Sequence, residues 1–387
     1  MGTARREFDI TVLGATGFTG GLIAAYLAEH APDTTRIALA GRNNAKLETL
    51  RSRIGAEFDL VTVDSSQPAA MLLVAERTRV LISTVGPYVI HGGAVVAACA
   101  DAGTDYLDLT GEPEFVDLTY LKHHARAVHT GARLVHACGF DSIPHDLGAQ
   151  FTVEHLPEGV PLAVSGYVHA HGTFSGGTAA SALEIMARHR AGRAAHRVRG
   201  EVEPLPGDRR ARVVPGRIGL DKESGSWVVP LPTIDPLVVT QSARQLPRYG
   251  PDFAYSHFWA GDNPIAAVGV LAGMGTLFTA AQIPAVRHAI ERHFPSGSGP
   301  SPERRERSWF RVQFVGTGGG SKVVTEVSGG DPGYSETSKM ISEAALCLAN
   351  DDLTPTSGQV TPASAMGPAL RSRLQVAGIN FELLSST

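Results

Sequence analysis

Hydrophobic and polar positions follow two regimes along this chain. Up to about residue 140, short apolar runs recur between segments of helical period. Phe8–Leu13, Arg36–Ala40, Leu60–Val63, Val80–Val85, Tyr106–Leu109 and Arg133–Ala137 read as strands. Gly20–His30, Ala45–Arg53, Pro68–Arg77, Gly93–Ala102 and Pro113–His129 read as the helices between them. The first run carries no charge after Asp9, as a parallel strand covered on both faces requires. This alternation predicts an α/β fold with a doubly wound, Rossmann-type parallel sheet over residues 1–145.

From about Asp146 the alternation stops. Leu162–Ala170, Trp227–Val229, Leu237–Thr240, Phe310–Val315 and Val323–Val327 read as strands, and Ala179–His189 as a helix. Residues 146–332 are therefore expected to form a second α+β domain with a largely antiparallel sheet, serving substrate binding and dimerisation. Residues 333–387, with a helix over Tyr334–Ala349, are expected to return to the first domain. Ile265–Ala281 stands apart because it contains no charge. A buried or dimer-contact helix, an interfacial helix touching lipid, and a membrane span all fit it. Its Gly and Ala content favours the first reading, with lipid contact next.

The sharpest chemistry lies where the first strand ends. Gly14, Gly17 and Gly20 follow it in the order tight turn, close backbone approach, and close helix–strand packing. A helix N-terminus opening there offers N–H groups to a pyrophosphate, and Thr16 and Thr19 add hydroxyls. The second strand ends in Gly41-Arg42, with Lys46 one turn further on. An acid at that place would bind the ribose 2′-hydroxyl of NAD, whereas Arg42 suits the 2′-phosphate of NADPH.

Two further strand ends carry candidate chemistry. After the fourth strand, Gly86-Pro87 turns the chain and Tyr88 either projects a phenol toward the reacting carbon or packs with its hydroxyl in solvent. After the sixth, Asp141, Ser142 and His145 either line a substrate pocket or cap the next helix. Tyr88 and His145 are the candidate proton donors. Ser175, in a small-residue helix start, is a further substrate-site candidate. His169 and His171 share a strand face but lack further ligands for a metal, and no metal is expected. Arg188, Arg190, Arg193, Arg197 and Arg199, with His189 and His196, form either a solvated face or a dock for an acidic carrier or thioester phosphates.

Bulk properties narrow the picture. With 387 residues and a net charge of −4, the chain has room for two domains and no basic field for nucleic acid. Cys99, Cys138 and Cys347 are widely spaced, and the polar start lacks the apolar stretch of a signal peptide. A cytoplasmic location, with membrane association through 265–281 as an option, is expected, as is a homodimer.

With these residues in view, the chain resembles the saccharopine dehydrogenase-like reductases, in their trans-acting enoyl reductase branch. The resemblance rests on Gly14–Gly20, Ala40–Arg42 with Lys46, Ser83–Tyr88, Tyr106–Glu112, Gly139–Pro144, Ser175–Thr178, Gly333–Ser335 and Thr361–Met366. It implies NADPH held by Gly14, Thr16, Gly17, Phe18, Thr19, Arg42, Asp64, Thr84, Gly86 and Pro87. It also implies reduction of an enoyl thioester or a related polyketide or lipid intermediate, presented free or on a carrier. Saccharopine-type imine reduction, and a lipid-associated NADP-binding protein without turnover, are the alternatives.

Overall fold

A computed structural model describes residues 6–172, 183–204, 207–283, 286 and 299–387. Its first sheet has seven parallel strands: β1 (Phe8–Leu13), β2 (Ile37–Gly41), β3 (Asp59–Thr62), β4 (Thr78–Ser83), β5 (Asp105–Asp108), β6 (Arg133–Val135) and β14 (Gly358–Val360). They lie in the order β14-β6-β5-β4-β1-β2-β3. The order reverses beside β1, so β1 and β4 flank the point where a crevice opens at the carboxyl edge. Ile10, Val12, Leu39, Val80 and Ile82 are buried, and the helices between the strands cover both faces.

The second sheet is mixed. It contains β7 (Leu162–His171), β8 (Arg210–Val213), β9 (Gly219–Leu220), β10 (Trp227–Pro230), β11 (Asp252–Gly261), β12 (Trp309–Gly318), β13 (Ser321–Gly329) and β15 (Asn380–Ser386). β7 and β8 pair with β11 in parallel, and the other pairings are antiparallel. β11 was legible in retrospect, because Phe253, Tyr255 and His257 alternate inward.

The helix Ile143–Glu154 joins the sheets. A Cβ on Gly148 would lie 2.3 Å from the Phe314 ring, so β12 sits against it as closely as backbone allows. Thr152 Oγ1 meets Thr325 Oγ1 at 2.6 Å on the same face. One hydrophobic core therefore runs from Ile10 and Val12 through Leu147 to Phe314 and Val327.

Three expectations are corrected. Leu237–Thr240 is not a strand: it lies within the helix Asp235–Gln245, which Pro236 starts and whose Val238, Val239 and Thr240 face are buried. The β-branched run suggested a strand, and tertiary packing overrode that propensity. The C-terminal segment does not stay with the first sheet. Its helix Ser335–Asn350 and β14 do, but β15 pairs with β13 in the second. Residues 264–281 do form one helix, Pro264–Ala281, capped by Asn263, but only Ala267 and Ala281 are buried in it. That removes the buried reading and leaves the exposed ones.

Candidate functional site

The glycine turn is built as the spacing requires. Gly14 takes φ +84, a left-handed conformation that favours glycine, and a Cβ there would lie 2.5 Å from Thr84 Oγ1. Gly20 packs so closely that a Cβ would fall 2.3 Å from the Gly14 carbonyl. Gly17 is the N-cap of the helix Phe18–His30, where no side chain caps the end and no acid sits in the first turn. Its backbone donors, with exposed Thr16 and Gly17, thus face the crevice with no internal anion competing. A pyrophosphate fits there, because exposed Gly17 puts no Cβ over the helix N-terminus, while Gly14 and Gly20 let the turn close beneath it.

Thr84 supports the turn from the next strand. Its Oγ1 donates to the carbonyls of Leu13 at 3.0 Å and Gly14 at 3.2 Å. Phe18 meets Tyr334 edge-on at 4.9 Å, so the chain returning from the second sheet closes on the turn. Thr19 is half-buried beside it.

Arg42 and Lys46 are exposed at the tip of β2. Asn43, next to Arg42, accepts from the Lys46 amide at 3.0 Å and so caps the helix Asn44–Ile54. Asp64, exposed beyond β3, accepts from the Ser66 amide, and this bond and the nearby Arg42 charge lower its pKa. The guanidinium thus stands beside an acid at the rim, free of a direct hydrogen bond among the described residues.

Tyr88 does not face the crevice. Its hydroxyl donates to the Ser83 carbonyl at 3.0 Å and accepts from the Leu109 amide at 3.2 Å, wholly inside the sheet end. Burial, with the Asp108 charge, raises its pKa well above the ordinary value. The expectation of a phenol aimed at the reacting carbon is corrected: the aromatic ring packs near Phe115 and the oxygen ties β4 to β5. Gly86-Pro87 makes the turn before it, and the Tyr88 and Val89 amides donate to the Glu112 carboxylate at 2.9 and 2.8 Å.

His145 is buried, and its Nδ1 lies 3.0 Å from the Phe140 carbonyl and 3.3 Å from Asp235 Oδ1. Burial pushes its pKa down to about 4, so the ring is neutral at pH 7 and has no imidazolium proton to give. That corrects its role as proton donor. Asp235 also faces His257 Nε2 at 3.5 Å. Burial works to raise its carboxyl, but His145, His257 and Thr233 outweigh this and hold it below the usual range. The helix Asp235–Gln245 brings Asp235 here, which sequence spacing could not show. His145, Asp235 and His257 are also a metal-capable trio by distance.

Asp141 sits in the turn between β6 and the helix Ile143–Glu154, its Oδ2 near the position where a Cβ on Gly111 would point, 3.5 Å away. Burial and the Asp235 charge push its pKa up to about 7. Ser142 occupies the N-cap of that helix, yet its hydroxyl makes no cap bond and is buried without a partner. The capping reading therefore fails for Ser142, whose hydroxyl is enclosed in the junction. Ser175 lies outside the described residues.

A cavity of ≈ 290 Å³ opens between the helices Pro113–Thr130 and His189–Val202, and Asp141, Ser142 and His145 are not among the residues that line it. Val89, Ile185 and Leu237 give it an apolar wall, with Glu112 at its edge. The basic run borders it but is partly spent internally. Arg188 pairs with Glu114 at 2.6 Å, Arg199 with Asp117 and Glu203, and His196 with Asp117.

A glycine turn fit for a pyrophosphate, a cation at the 2′-position and a polar junction between two sheets define an NADPH-dependent oxidoreductase. Residues 10–135 match the saccharopine dehydrogenase NADP binding domain. Over 99% of both chains, the protein is 37% identical to a Mycobacterium tuberculosis protein named a putative trans-acting enoyl reductase. It is 36% identical, over 98% of both chains, to a trans-acting enoyl reductase of Mycobacterium ulcerans. The solved saccharopine dehydrogenase (L-Glu forming) of Saccharomyces cerevisiae shares the fold, with a TM-score of 0.53 at 12% identity over 97% of this chain and 99% of that one. The chain belongs to the family of the trans-acting enoyl reductases and carries a saccharopine dehydrogenase-type NADP-binding domain.

Proposed function

We propose that the chain reduces the C=C bond of an enoyl thioester, with Asp141 as the proton donor. The observation that carries this reading is the placement of Asp141 in the turn after β6, at the carboxyl edge of the NADPH-binding sheet, where burial and then the Asp235 charge push its carboxyl up to about 7. When bound, NADPH would supply a hydride for the β-carbon, so that an enolate would develop at the thioester. Asp141 then delivers its proton to the α-carbon and is recharged from solvent. The unpartnered Ser142 hydroxyl donates to the developing enolate oxygen. Burial, and then the nearby Asp235 charge, raises the Asp141 carboxyl so that a proton is held there near neutral pH.

Arg42 and Lys46 receive the 2′-phosphate, and Thr84 acts by fixing the glycine turn rather than by touching the cofactor. The cavity walled by Val89, Ile185 and Leu237 seats the acyl chain. The reaction is expected in the cytoplasm, where NADPH is available.

The test is NADPH oxidation by the full chain with enoyl-pantetheine thioesters, set beside 2-oxo acid and amine mixtures. Turnover on the thioesters, cut at least a hundredfold in kcat by Asp141→Asn at unchanged NADPH affinity, is the expected result. Turnover confined to imine reduction overturns the proposal, as does full activity of the Asp141→Asn protein.

A further inference from the structure

The helix Pro264–Ala281 is an apolar feature that the reductase reading leaves unused. It has 18 residues, no charge, and 11% of its length buried inside the protein. Ile265 is 82% exposed and Val268 64%, with Phe278 and Ile283 also outward. Soluble chains seldom leave such a surface uncovered.

Charge identifies what covers it. The C-terminal end of this helix is fastened to the start of the basic segment. Phe278 meets His189 at 5.5 Å, and Gln282 Nε2 donates to the Met186 carbonyl at 3.0 Å. From there Arg190, Arg193 and Arg197 recur at helical spacing, all exposed and without an acidic partner among the described residues. An apolar helix beside unpaired guanidinium groups matches the interface of an anionic lipid surface, which offers an acyl boundary under a layer of phosphates.

Size argues against a second copy. At 1.5 Å per residue and about 10 Å across, the helix presents on the order of 270 Å², well below the roughly 800 Å² per partner of a stable interface. A lipid surface needs no such minimum. The helix is held at both ends by the fold, against β10 and β11 at one and Met186 at the other, so it lies along the molecule.

We propose that Pro264–Ala281 docks the protein in the plane of an anionic membrane, with Arg190, Arg193 and Arg197 against the headgroup phosphates. The docking is independent of the reaction assigned above.

The test is co-sedimentation of the full chain, loaded with NADPH, with vesicles of phosphatidylcholine alone or mixed with phosphatidylglycerol. At least tenfold stronger partition onto the mixed vesicles is expected, falling with added salt. Val268→Glu, and separately the pair Arg190→Glu and Arg197→Glu, should each abolish it while NADPH binding persists. Failure to bind the mixed vesicles, or binding that both variants leave intact, overturns the proposal. So does light scattering that shows a lipid-free dimer dissociated by Val268→Glu, which would make the occupant a second copy. Should a variant fail to fold, hydrogen exchange on the unmodified chain decides. Mixed vesicles should slow exchange within 264–281, and unchanged exchange there also overturns the docking.

Discussion

Phe18 and Tyr334 meet edge to face, with ring centroids 4.9 Å apart, although 316 positions separate them in the chain. The first residue of the helix that receives the pyrophosphate is thus packed by the segment that leaves the second sheet. Asp331 secures that segment by accepting from the Tyr334 and Ser335 amides at 3.1 and 3.0 Å. Cofactor site and second sheet are one construction. Tyr334→Ala should therefore weaken NADPH binding several-fold without touching the phosphate contacts. Fluorescence titration of NADPH measures this, and an unchanged affinity would remove Tyr334 from the site.

Cofactor choice should reside in Arg42. A charge-assisted contact to phosphate contributes about 1.5–3 kcal/mol, or roughly ten- to a hundredfold in affinity. Arg42→Ala should raise the KM for NADPH by that factor and leave the KM for NADH nearly unchanged. Equal losses with both cofactors would show that Arg42 supports the loop instead.

Gly20 leaves no space for a methyl group, since a Cβ would fall 2.3 Å from the Gly14 carbonyl. Gly20→Ala must push the helix off β1. Overpacking of this kind costs about 1–3 kcal/mol. A lowered Tm together with lost NADPH binding is the expected pair of results, read by differential scanning calorimetry and titration.

Tyr88 separates structural from catalytic phenols. Removing its hydroxyl leaves the Ser83 carbonyl and the Leu109 amide unpaired in a buried place, at a cost of about 1–3 kcal/mol. Tyr88→Phe should lower Tm while the pH profile of kcat keeps its shape. A lost limb in that profile would return Tyr88 to the chemistry.

Stability should respond to pH through Asp146, which accepts from Ser242 Oγ and the Ala363 amide. Burial pushes its pKa up to about 7 against those bonds, from an ordinary value of 3.8. The folded state thus holds this proton more tightly than the unfolded chain. The resulting stabilisation is full below about pH 4 and is lost as pH rises through about 7. Asp146→Asn cannot titrate, so its Tm should change less between pH 5 and 8 than that of the unmodified protein. Equal changes would place the pH dependence elsewhere.

The glycine turn, Arg42 and the alternating strands were legible in the sequence, because each is a local requirement. A left-handed φ at Gly14, a missing Cβ at Gly20 and uncharged runs in strands covered on both faces leave marks within a few residues. NADPH binding and the parallel sheet follow from those marks. Tertiary structure alone decided which groups face the reaction. Tyr88 turned inward, where its hydroxyl ties strand ends β4 and β5, and His145 is neutral because the fold buries it, with His257 beside it, against the opposing pull of Asp235. Leu237–Thr240 became helix for the same reason: that helix carries Asp235 to the junction. Burial and the distance between charges determine a proton's place, and both arise only when residues remote in sequence are packed together.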